Sequence, residues 1–73
     1  MSEKLGELEK LSAIATDMEL SIDLRTKAIE LLGNIGTHDA LLVLLALAAD
    51  EKLNVSERDL ALKKARDVIK SSH

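Results

Sequence analysis

The sequence predicts an all-α fold: four helices arranged as two stacked antiparallel helical hairpins, a short α-solenoid. Three observations carry this. First, the chain repeats itself once, without a gap, at an offset of 33 residues. Leu8/Leu41, Leu11/Leu44, Ala13/Ala46, Ala15/Ala48, Asp17/Asp50, Leu20/Leu53, Arg25/Arg58 and Ala28/Ala61 are identical pairs. Self-similarity at such a period marks stacked supersecondary units. Second, proline is absent and glycine is scarce, while Ala, Leu, Glu and Lys abound, which favours helix nearly everywhere. Third, apolar residues make up 47% of the chain and include no Phe, Tyr or Trp. A core of small aliphatic side chains suits close helix–helix contact.

The first helix is expected over residues 3–15, with Ser2 as its cap and Leu5, Leu8, Leu11, Ile14 and Ala15 as its apolar stripe. Gly6 inside it reads as a frayed first turn or as close approach to a neighbour. A turn follows, in which Asp17, Ser21 and Asp23 compete to cap a helix over 23–34. Leu24, Ala28, Leu31, Leu32 and Ile35 are that helix's expected inward stripe, and Asn34 and Gly36 its stop signals. Thr37 caps a third helix over 38–49. This helix is apolar all round, which predicts burial on most sides. The fourth is expected over 56–70, with Ser56 and Asp59 in capping-box spacing and Val55 and Leu60 as a hydrophobic staple. Ala61, Ala65, Val68 and Ile69 are expected to face inward. Residues 1–73 are read as one domain, with repeat one at about 3–35 and repeat two at about 36–70.

The run Leu24-Arg25-Thr26-Lys27-Ala28-Ile29-Glu30-Leu31-Leu32-Gly33-Asn34-Ile35-Gly36, followed by Ala40-Leu41-Leu42-Val43-Leu44-Leu45, resembles a HEAT-like repeat of the short, phycobilisome-lyase type. Arg25, Ala28, Leu32-Gly33 and Ile35-Gly36 match that family's pattern, and Arg58 and Ala61 match it again. The chain departs from the pattern in lacking the turn's Asp-Pro and in its longer turns. The second unit also lacks the Leu-Gly-x-Ile-Gly ending, as expected of a terminal repeat. The resemblance implies a protein-binding scaffold. It also implies that Arg25 and Arg58 reach the turns to hydrogen-bond turn carbonyls or an Asp, with Asp17 and Asp50 as their natural partners. The chromophore-lyase activity of some family members gains no support, since aromatic residues and a reactive group are both missing.

Function is less legible. The chain has no cysteine, which excludes disulfides, thiolate metal sites and thiol nucleophiles, and is compatible with a reducing, cytoplasmic location. Its net charge of −3 disfavours generic attraction to nucleic acid or to an anionic membrane. The polar N-terminus lacks the apolar run of a signal peptide, and the stretch 40–49 is too short to span a bilayer. His38 and His73 lack the spacing of a metal site, and His38 reads as part of a helix start. No serine lies in a nucleophile elbow, and Gly33-x-x-Gly36 lacks the strand and lysine of a phosphate loop. The carboxylates read as scattered over solvent faces. No catalytic residue, cofactor, metal or small-molecule ligand is therefore expected.

Two surfaces remain. Lys63, Arg66 and Lys70 form a basic stripe on the last helix, read either as a contact for phosphate or an acidic partner, or as a solvated helix C-terminus favoured by the dipole. Leu42 and Val43 stand where repeat one has Glu9 and Lys10. Either the third helix is central and covered there, or Leu42, Val43 and Ala46 belong to a surface for a homodimer or another protein partner. The leading expectation is a non-catalytic protein-interaction module. The alternatives are a small nucleic-acid-binding protein using the last helix, or an accessory subunit of an enzyme.

Overall fold

The computed structural model describes residues 3–71, with side chains from residue 6 onward. Its four helices are α1 (Glu3–Ala15), α2 (Ile22–Ile35), α3 (His38–Ala48) and α4 (Val55–Ser71), and there is no strand among the described residues. The expected Ser2 cap and the side chain of Leu5 lie outside the described residues, as does His73. α1 pairs with α2 and α3 with α4. The two hairpins meet mainly through α2 against α4, with smaller α2–α3 and α1–α3 contacts. The thinnest dimension is 17 Å, the depth of about two helix layers.

The helix ends show why the chain folds here. Ser21 caps α2, its Oγ accepting from the Leu24 amide at 3.3 Å. Gly36 ends α2 in the left-handed conformation (φ 67°), where a side chain would be strained, and its N–H reaches the Leu32 carbonyl. Thr37 then caps α3, its hydroxyl accepting from the Ala40 amide at 3.1 Å. The start of α4 differs from expectation. The Asn54 carbonyl accepts the first helical bond, from the Arg58 amide, and Glu57 reaches back to the Asn54 amide at 3.3 Å. The capping pair is thus Asn54 and Glu57 rather than Ser56 and Asp59. Val55 is exposed, so no staple closes on Leu60. The reason is register: Asn54 is the repeat equivalent of Ser21, and α4 begins where α2 does.

Among the described residues, twelve buried apolar side chains form the core: Leu8 and Ala15 from α1, Ala28, Ile29 and Leu32 from α2, Ala40, Leu44 and Leu47 from α3, Leu53 from the second turn, and Ala61, Ala65 and Val68 from α4. The inward face of α2 is rotated from the expected one. Leu24 and Leu31 are exposed, while Arg25 and Ile29 are buried. α2 lies between α1 and α4, and the side turned to α4 carries Arg25, Ile29 and Gly33. Ile14 and Ile69 are likewise exposed rather than inward. Gly33 permits the α2–α4 approach, because a Cβ there would stand 3.0–3.2 Å from the Lys64 side chain. Gly6 has no such neighbour, so close packing does not explain it.

Candidate functional site

The two turns are built alike. Asp17 Oδ1 accepts from the Glu19 amide at 3.0 Å and the Asp17 carbonyl accepts from Leu20 at 3.0 Å. Asp50 does the same with Lys52 and Leu53, at 3.0 and 3.1 Å. These are Asx turns, in which a short carboxylate replaces a backbone acceptor. They return the chain to Ser21 and Asn54, with Leu53 buried in the core and Leu20 half-buried.

Arg25 rises from this turn into the seam between the repeats. Its Nη1 donates to the Leu20 carbonyl at 2.6 Å, while Nε and Nη2 donate to Glu57 Oε2 and Oε1 at 2.8 and 3.2 Å. The arginine thus reaches a turn carbonyl, as expected, but the carboxylate it bonds is Glu57 of the other repeat, while Asp17 acts on it only through its charge. Both side chains are buried, Arg25 at 6% and Glu57 at 1% exposure. A bidentate fork with a third bond to a carbonyl gives a buried guanidinium the partners it needs. The hydrogen bond from Arg25 is the largest influence holding the Glu57 carboxyl below the usual carboxylate range. The Asn54 amide adds to it, and burial opposes it. Glu57 in turn raises the affinity of Arg25 for its proton.

The sequence reading missed Glu57, having placed the carboxylates on solvent faces. A signal was present: Asn54-x-x-Glu57 has capping-box spacing and falls in register with Ser21. The sign of the resulting pH dependence follows. A carboxyl whose folded pKa is depressed contributes stability above its unfolded value, near pH 4.3, and loses it as pH falls through the folded value. Urea midpoints of the wild type should therefore fall between pH 5 and pH 2 more steeply than those of Arg25→Met/Glu57→Leu. Parallel profiles would show that the pair contributes nothing to acid stability.

Arg58 occupies the Arg25 position of repeat two, but among the described residues no carboxylate bonds it. It is half-buried, and its Nε is enclosed without a hydrogen-bond partner among the described residues. The surface of repeat two carries several exposed apolar side chains. Leu42 is 52% exposed, Leu45 41% and Leu62 42%, and Ala46 is exposed too. α3 is therefore open along one side, contrary to the expected burial on most sides. Val43 differs from Leu42: it is half-buried against the core and lines an open groove of about 540 Å³ with Leu8, Glu9, Ser12, Ala13 and Asp39. Successive helical residues turn through about 100°, so Val43 faces repeat one while Leu42 faces away.

Lys63, Arg66 and Lys70 are exposed on α4, interleaved with exposed Asp59 and Asp67. His38 is exposed in the first turn of α3. Among the described residues no group of three His, Cys, Asp or Glu side chains is placed to hold a metal, and no helix is long and apolar enough to cross a membrane. Comparison with protein-family models, with curated proteins and with solved structures finds no match.

Proposed function

We propose that this chain is a HEAT-like interaction module in a cytoplasmic setting, a pair of helical hairpins that binds another protein or a second copy of itself and has no catalysis of its own. The observation that carries the reading is the open apolar face of α3, formed by Leu42, Leu45 and Ala46 at helical spacing, with Leu62 of α4 exposed as well. Contiguous exposed apolar surface of this kind marks interfaces. The repeat equivalents of Leu42 and Leu45 in α1 are Glu9 and Ser12, so polar residues stand there in repeat one. The HEAT-like part of the reading is supported by turns, caps and paired arginines that recur at the repeat offset.

The basic stripe supports a nucleic-acid reading less well, because Asp59 and Asp67 break its field. The test is Leu42→Glu, compared with the wild type by light scattering after gel filtration and by chemical cross-linking in native extract. The wild type is expected to self-associate or to cross-link to a partner. The variant should lose that association while its far-UV circular dichroism stays helical. A monomeric wild type whose cross-links are unchanged by Leu42→Glu would overturn the reading.

A further inference from the structure

We propose that the Gly36-Thr37 corner is a hinge through which two copies of this chain exchange hairpins, α2 and α3 joining into one continuous helix and each seam forming between copies. This goes beyond the interaction-module reading, because the exposed face of α3 takes no part in it.

The corner is minimal. Only Gly36 and Thr37 separate the end of α2 at Ile35 from the start of α3 at His38. Gly36 is left-handed, at φ 67°, and Thr37 is extended, at φ −83° and ψ 166°. Helical angles at these two residues alone continue α2 into α3, and the chain has no proline to forbid it. Beyond its chain neighbours, a side chain on Gly36 would meet nothing nearer than the Gly33 carbonyl at 3.7 Å, so only the positive φ reserves the place for glycine. The phase of the two helices also suits the exchange. Helical residues advance by about 100° each, and with the corner made helical all the buried residues of α2 and α3 fall within an arc of about 160°, from Ala28 at one edge to Leu44 at the other. Both core faces then line one side of the joined helix, which a second copy must find to cover them. Gly33, Gly36 and Ala40 stand on that same side around the corner, where two joined helices cross and their backbones need room.

The seam itself selects the occupant. Opening the corner bares Arg25 and Ile29, which the closed chain covers with Glu57 and α4. A second copy carries the same complement, so Arg25 of each chain meets Glu57 of the other and both seams are rebuilt. The two forms then share their buried contacts and differ at the corner. The closed form keeps the Thr37 hydroxyl on the Ala40 amide and the left-handed glycine. The exchanged form replaces them with helical bonds running through the corner. Exchange of an identical element is a low-cost route to a dimer for this reason, and a two-residue connector gives the hairpins little freedom to part within one chain.

The test is Gly36→Ala, refolded from urea at high protein concentration and compared with the wild type by light scattering after gel filtration. Alanine is strained in the left-handed corner and is a better helix former than glycine, so each of the two copies gains on exchange. The dimerisation constant should rise by at least about a hundredfold. A monomeric Gly36→Ala would overturn the hinge. The seam is then read directly. The chain has no cysteine, and a Cβ at position 33 stands 3.1 Å from Lys64 Cβ, so Gly33→Cys/Lys64→Cys reports which chains share a seam. On the Gly36→Ala background the oxidised protein should run as a covalent dimer on a denaturing, non-reducing gel. A dimer in solution whose disulfides lie within single chains would overturn the exchange. Inserting Gly-Ser-Gly between Gly36 and Thr37 lets the hairpins close within one chain and should return Gly36→Ala to a monomer. A dimer that survives the insertion overturns the proposal, and this arm decides it without cysteines should the double-cysteine variant fail to fold. Leu42→Glu should leave the exchanged dimer intact, and its loss would assign the dimer to the α3 face instead.

Discussion

Glu57→Leu is expected to destabilise the protein by about 3–5 kcal/mol, because it strands the buried Arg25 charge and removes the acceptor of the Asn54 amide. A domain of this size has a total stability on the order of 4–11 kcal/mol, so the single substitution removes from about a quarter to all of it. The informative comparison is Arg25→Met/Glu57→Leu. Replacing a whole buried ion pair with apolar side chains of similar volume is commonly near neutral. The double variant should therefore recover most of the loss in urea denaturation followed by far-UV circular dichroism. A double variant as unstable as the single one would show that the seam depends on the shape of these side chains and not on their charges.

Ile29→Ala should cost about 2–5 kcal/mol, while Leu62→Ala should change stability by less than about 0.5 kcal/mol. The two residues hold the same place in their repeats, yet Ile29 is sealed between α2 and α4 and Leu62 is 42% exposed. Truncating Ile29 opens a cavity in the seam, whereas truncating Leu62 removes surface already wet. Thermal or urea melts of the two variants make the comparison. Equal losses would mean that Leu62 is covered in solution, as self-association through the open face would require.

The helices and the turns were legible because each rests on local chemistry. Thr37 and Gly36 mark one boundary unambiguously, and the two Asp turns follow from short carboxylates preceding helix starts. The facing of α2 was not legible. A stripe of Leu24, Leu31 and Ile35 satisfies helical periodicity as well as the true one does. Only the position of α4, a partner more than thirty residues away, makes Arg25 and Ile29 the buried side. Glu57 was hidden for the same reason. Its burial is tolerable only because Arg25 is there, and a single helix does not reveal what crosses it. The split between Leu42 and Val43 needed the position of α1. The exposure of Leu42, Leu45 and Leu62 needed the whole stack.

Arg25 and Glu57 are also 32 residues apart along the chain. A contact over that span forms only after a large loop has closed, whereas α1 meets α2, and α3 meets α4, across short turns. The expected order is that each hairpin condenses on its own turn first and the ion pair closes only when the two dock. Interactions formed after the rate-limiting step leave the speed of folding nearly untouched and govern the speed of opening instead. The pair is thus a latch on the finished molecule, holding the two hairpins together once docked and setting how long they stay so.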